Sequence, residues 1–402
     1  MKFLRIIFPL FMILLAISAC TSPPVDEEYT SEITVIGLYP AGNGQYSILA
    51  SKSVRDNNAW VYYDSLMFLL VDADGNKIST TGLPLQNQPY IRQQYLLNDG
   101  NIMLFGNLSS DNYSWYFSTA VYSPSGALVW NMNMADRTSG VIPESNGGLF
   151  TLGWAESPDL FDRITYAKME SNGDTTWSRI IKSTSYNVNL NSGTPTSDGG
   201  CIAIGETYVA DRSNDILVVR INAAGDTLWT GSFGGDSYDN VNFVKELNDG
   251  GILVAGTINL YDSTNANWGL NSGEQVYLIK LSANGDKLWT KAVGKTLRES
   301  INAIIETTDG SLVLCGTRSE SYVYIYDSTE GWVTKLSADG NEIWLREYEK
   351  KIPTGVRELS NGDLLVVTRN LDAEYDWRDS NDLDLMKFSS TGTLLWDKVL
   401  TP

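Results

Sequence analysis

Lys280–Gly294 reads KLSANGDKLWTKAVG. A strand-like run reaches Ser282, Asn284-Gly285 marks a tight turn, and a second run carries Trp289. Asx-Gly between short apolar runs is a strong hairpin signal, because it supplies the positive φ angles that two-residue turns need. The same hairpin recurs as VYSPSGALVW (Val121–Trp130), KMESNGDTTW (Lys168–Trp177), RINAAGDTLW (Arg220–Trp229), KLSADGNEIW (Lys335–Trp344) and KFSSTGTLLW (Lys387–Trp396). In all six the Trp follows the turn Gly by four positions.

A second turn alternates with the first. It reads NGQYSILA from Asn43, DGNIMLFG from Asp99, NGGLFTLG from Asn146, DGGCIAIG from Asp198, DGGILVAG from Asp249, DGSLVLCG from Asp309 and NGDLLVVT from Asn361. Five or six apolar residues bounded by turns fit buried strands, and no stretch keeps a helical period. Each repeat therefore reads as strand A, turn, strand B, variable loop, strand C, turn, strand D. The first turn occurs at Gly44, Gly100, Gly147, Gly199, Gly250, Gly310 and Gly362; the second at Gly75, Gly126, Gly173, Gly225, Gly285, Gly340 and Gly392. The first repeat has Ser79 in place of Trp. A spacing of about 50 residues suits a four-stranded blade. The expected fold is all-β: a seven-bladed β-propeller over 32–402, closed by face packing between its first and last blades. Closure covers the two apolar faces that each blade presents.

The Gly-x-x-x-Trp spacing, as in Ser337-Ala338-Asp339-Gly340-Asn341-Glu342-Ile343-Trp344, resembles the tryptophan-docking repeats of quinoprotein-type (PQQ-like) β-propellers. The resemblance covers nearly all of 32–402 and implies a propeller with Trp130, Trp177, Trp229, Trp289, Trp344 and Trp396 as structural docking residues. Catalytic members of that family hold pyrroloquinoline quinone beside a ring of adjacent cysteines and a calcium ion. This chain has no Cys-Cys pair and no matching metal-ligand run, so the resemblance carries the fold and no cofactor. The sialidase Asp-box is one residue out of register with SADGNEIW.

The N-terminus is read as a targeting segment. Lys2 and Arg5 precede the apolar run Ile6–Ala16, which is too short to span a membrane comfortably. Ile17-Ser18-Ala19-Cys20 then resembles a bacterial lipobox. The expectation is a signal peptide over 1–19, lipidation of Cys20, a tether over 20–31, and anchoring in the cell envelope. Thr21 after the Cys points to the outer membrane in proteobacterial lipoproteins, with the leaflet left open.

Composition narrows the chemistry. The 402 residues carry a formal net charge of −19 and contain no histidine. An acidic chain is repelled by nucleic acid. Absence of histidine removes Ser-His-Asp and Cys-His catalysis and every His-containing zinc site. Cys201 and Cys315 fall in equivalent strands of separate repeats and read as buried thiols. Neither a metal site nor a cofactor is expected.

Strand direction places all Gly turns on one face and the long B–C loops on the other. The loops and their edges hold the remaining tryptophans, Trp154 among them. The candidate ligand-binding residues are Trp60, Tyr62, Trp115, Tyr116, Tyr261, Trp268, Tyr324, Trp332, Tyr375 and Trp377. Aromatic faces beside amides and carboxylates suit a glycan or a protein partner. The acidic segment 372–384 is read as a solvated loop. The leading reading is a non-enzymatic, lipid-anchored binding module. The rivals are a carbohydrate-active or divergent quinoprotein-like enzyme using carboxylates such as Asp376 or Asp262, and a structural assembly scaffold.

Overall fold

The computed structural model describes residues 30–56, 61–83, 90–108, 117–134, 137–144, 147–155, 163–182, 188–208, 214–234, 239–261, 272–294, 298–319, 329–371 and 379–402. These residues form 28 strands and no helix. The strands pair antiparallel in consecutive fours, beginning with β1 (Thr30–Gly42), β2 (Gln45–Asp56), β3 (Val61–Asp72) and β4 (Lys77–Gly82). The pattern repeats through 90–133, 138–182, 188–233, 239–293, 298–349 and 351–400. One parallel pair, Glu274 with Arg298, joins the third strand of the fifth unit to the first strand of the sixth. This arrangement is consistent with a β-propeller.

The fourteen turn glycines all have positive φ, but the turns differ from expectation. Asn43-Gly44 alone among the described Asx-Gly turns places both residues at positive φ, 51° and 72°. The other turns follow the pattern of Ser282–Asp286. There the Gly285 N–H donates to Ser282 O at 3.0 Å, and the Ser282 N–H donates to Asp286 O at 2.8 Å. A register shift follows between Lys280 and Leu281. This is a three-residue loop ending in a glycine bulge, so only the glycine needs the left-handed conformation. The preceding residue caps the loop: the Ser282 hydroxyl accepts from the Asp286 N–H at 3.1 Å.

Seven apolar clusters lie between units. Ile202, Val218, Val254 and Ile279 join the fourth to the fifth; Leu253, Leu278, Leu312 and Leu314 join the fifth to the sixth. Others join the first to the second, the second to the third, the third to the fourth and the sixth to the seventh. The last unit meets the first through Leu365, Val367, Leu385, Ile48 and Leu69. The first and last units share no sheet, and β1 packs against the first three strands of the last unit.

The Trp positions lie at these junctions. A Cβ placed on Gly225, Gly285 or Gly340 would come within 2.9–3.1 Å of the indole of Trp177, Trp229 or Trp289 in the preceding unit. Trp344 meets Gly392 in the same way, and Trp396 meets Gly75. The Trp229 Nε1–H donates to Ala283 O at 3.0 Å. Two junctions depart from this pattern. Thr81, in the unit that carries Ser79, packs on Gly126 of the next unit, and Met132, not the expected Trp130, approaches Gly173.

First strands of most neighbouring units touch one another, whereas fourth strands are made of exposed and half-buried residues. The first strands therefore gather at the centre. Side chains tie them together: Gln93 Nε2 donates to Asn191 O at 2.7 Å, and the Tyr95 hydroxyl donates to Val141 O at 2.8 Å. Cys201 and Cys315 are free and buried, and burial pushes the Cys315 thiol up to about 12.

Candidate functional site

Strand direction puts the ends of second strands and the starts of first strands on the face opposite the Gly turns. Tyr90 opens the second unit's first strand, Tyr90–Leu96, and is 63% exposed. Trp154, near the end of Leu149–Ala155 in the third unit, is 44% exposed. Tyr208 ends Cys201–Tyr208 in the fourth unit and is 40% exposed. Tyr90, Trp154 and Tyr208 are the only exposed aromatics among the residues whose side-chain burial is described, and all three lie on the loop-bearing face of consecutive units. The Arg137 guanidinium stacks over Trp154 at 4.7 Å from the ring centroid. Arg137 has φ 72° and its carbonyl accepts from the Trp154 N–H at 3.4 Å, which fixes the backbone beneath the stack. An indole under a guanidinium makes a flat, amphipathic surface.

Most of the sequence candidates lie outside the described residues: Cys20, Trp60, Trp115, Tyr116, Trp268, Tyr324, Tyr375 and Trp377, with Asp262 and Asp376. Tyr62 falls within β3 and Tyr261 ends the strand Ile252–Tyr261. Trp332 requires a correction. It is the fourth residue of the strand Thr329–Leu336, is 4% exposed, and belongs to the cluster between the fifth and sixth units. Its Nε1–H donates to Thr317 O at 3.0 Å, and its ring covers Gly316. The small Gly316 opposite leaves the space that this indole fills, so its place is the core and not a loop surface.

The acidic segment 372–384 also differs from a solvated loop where it is described. Asp379–Phe388 is a strand. Asp384 is 1% exposed and pairs with Lys351 at 2.5 Å, while Lys351 also reaches Asp397. Partner hydrogen bonds hold the Lys351 ammonium above its ordinary range against the opposing effect of burial.

Other charged groups cluster near this face. Arg318 bridges Glu330 at 2.5 Å and Glu347. Asp215 and Asp239 lie against Gly234, and Glu299 lies against Gly294. Tyr90, Tyr208, Arg137, Asp215 and Asp239 were not singled out from sequence. The usable signal for the first two was position, because each stands at a strand end bordering a variable loop. An open cavity of about 850 Å³ lined by Trp344, Arg346, Ser390 and Thr391 sits on the Gly-turn side, away from the exposed aromatics.

No family model matches the chain, and no curated protein matches it. Several solved structures resemble its fold. The β-propeller domain of the Trilobed protease from Pyrococcus furiosus is 9% identical, with 92% of this chain and 96% of that one covered and a TM-score of 0.48. A mutant of the Synechocystis apocarotenoid oxygenase is 9% identical, with 93% and 96% covered and a TM-score of 0.47. Puromycin hydrolase is 11% identical over 90% of this chain and 52% of its own, with a TM-score of 0.47. Propeller-like neighbours thus include enzymes, but at these scores the likenesses carry no argument about this chain.

Proposed function

We propose that this chain is a closed seven-bladed β-propeller, tethered through a lipid on Cys20 to the bacterial outer membrane, that binds a glycan or a protein on its loop-bearing face. The blade count is supported by the seven runs of four strands and by the apolar cluster joining the last run to the first. Anchoring rests on the Lys2/Arg5, apolar-run and lipobox sequence.

The observation that carries the binding role is the alignment of Tyr90, Trp154 and Tyr208 on one face of three consecutive units. Large aromatic side chains left in water on one side of a repeat scaffold mark an interaction surface. Loops and strand ends on such a scaffold vary without disturbing the packed units. The face offers stacking, a stacked guanidinium and nearby carboxylates, which suit sugar rings as well as protein surfaces.

Fluorescence titration with a panel of envelope glycans tests this reading. A saturable change that disappears in Trp154→Ala establishes a glycan ligand. Silence throughout the panel, together with crosslinking from intact cells that captures a protein through Tyr90 or Tyr208 positions, establishes a protein partner. Neither signal would remove the binding role.

A further inference from the structure

The junction between the fourth and fifth units holds two buried carboxylates facing each other. Asp215 lies in the strand Asn214–Ile221, and Asp239 opens the strand Asp239–Glu246. They are 5% and 1% exposed. Gly234 lies between them: the position a Cβ would take there is 2.5 Å from Asp215 Oδ1 and 2.4 Å from Asp239 Oδ2. The two oxygens are therefore within about 5 Å of each other, a span one cation can bridge through oxygen bonds of about 2.3–2.6 Å.

Asp215 is half satisfied. Its Oδ2 accepts from the Ser232 hydroxyl at 3.0 Å, whereas its Oδ1 is buried with no hydrogen-bond partner among the described residues. Burying the Asp215 Oδ1 atom without a partner is unfavourable unless a donor or a positive charge meets it. Neighbouring junctions avoid the arrangement. One unit on, Gln275 stands at the position of Asp215, in the same register six residues before the strand end. At the following junction the corresponding acid, Glu330, is paired with Arg318, and Lys351 occupies the position of Asp239.

We propose that Asp215 and Asp239 form a calcium-type cation site that joins the fourth and fifth units. Hard oxygen donors select such an ion, with the two carboxylates as charged ligands and the Ser232 hydroxyl orienting Asp215. Their burial favours a monatomic cation over a bulky substrate, which distinguishes the pair from an acid–base couple working on a polymer. Side chains from two units at one ion make the ion a clasp between them. The site is independent of what the aromatic face binds.

Calcium chloride titrated into the EDTA-treated full chain, by isothermal calorimetry and by thermal unfolding, tests the proposal. The expected result is a saturable single-site heat and a Tm that rises with calcium concentration. Asp215→Asn and Asp239→Asn keep side-chain shape and should abolish both responses. Asp226→Asn, in a turn on the opposite face, should leave both intact. Absence of saturable heat in the unmodified chain with calcium, magnesium and manganese chlorides overturns the proposal. A calcium response that survives in Asp215→Asn also overturns it.

Discussion

The indole of Trp396, in the last strand of the chain, lies on Gly75, in the turn between β3 and β4. A Cβ on Gly75 would come within 2.6 Å of its Cη2 atom. Lys398 stacks over the same indole at 5.1 Å and donates to Asn76 Oδ1 at 3.0 Å. Lys77 donates to Thr401 O at 2.8 Å. The first and last units are joined by side chains, without a shared sheet. Each unit of a repeat protein is stabilised through its neighbours, so this junction gives the terminal units a second covered face.

Trp396→Ala should therefore lower unfolding stability by about 2–4 kcal/mol, the lower part of the range for large core truncations because the ring is only partly buried. Leu395→Ala, at a residue 49% exposed, should stay within about 0.5 kcal/mol of the parent. Urea denaturation of both variants checks this. Equal losses would show that the indole is not a joint.

Gly392 and Gly362 separate packing from backbone strain. Their φ angles are 81° and 82°, but a Cβ on Gly392 would come within 2.6 Å of Trp344, whereas one on Gly362 would meet nothing within 4 Å. Gly362→Ala should cost about 1–2 kcal/mol, the penalty of a left-handed Ala. Gly392→Ala should cost more by about 1–3 kcal/mol, as overpacking does. Denaturant midpoints read the difference directly, and identical midpoints would refute a packed Trp344–Gly392 contact.

The repeat was legible because it is written in local chemistry. Fourteen glycines at regular spacing all take positive φ, and Gly-x-x-x-Trp places the indole near the start of six of the seven fourth strands. Turn geometry was less legible: Asn284-Gly285 suits a two-residue turn, yet Ser282 and Asp286 close a longer one. Trp332 looked like a loop residue because Tyr322, Tyr324 and Tyr326 precede it, and nothing local reveals the Gly316 that makes room for its ring. The Asp215–Asp239 pair was invisible for a related reason. Its members come from different units and meet only when those units pack.

Asp198 gives a pH signature. The Arg220 guanidinium, 2.6 Å away, is the main cause holding its carboxyl down at about 2; burial opposes this, while Thr196 and the Gly200 N–H help. A folded pKa below the unfolded one means that the ionised form is stabilised by folding. That contribution is present above the ordinary value of 3.8 and is lost as pH falls through about 2. The Asp198 side chain is 52% exposed, so solvent screening keeps the effect modest. Urea midpoints of the parent should fall more steeply than those of Asp198→Asn over this interval. Parallel curves would remove Asp198 from the acid response.

Lys351 and Asp384 differ from that surface pair, because Asp384 is 1% exposed and Lys351 is shared with Asp397. Lys351→Met would leave a buried carboxylate without its ammonium, at a cost of about 3–5 kcal/mol. Asp384→Leu in the same chain removes the stranded charge and should recover most of that loss, since well-packed apolar replacements of buried pairs are often neutral or stabilising. Asp397 lies nearer solvent, and Asp397→Asn should cost no more than about 1 kcal/mol. A double-mutant cycle on thermal or urea unfolding measures the coupling. Additive losses for Lys351→Met and Asp384→Leu would mean that the two charges do not depend on each other.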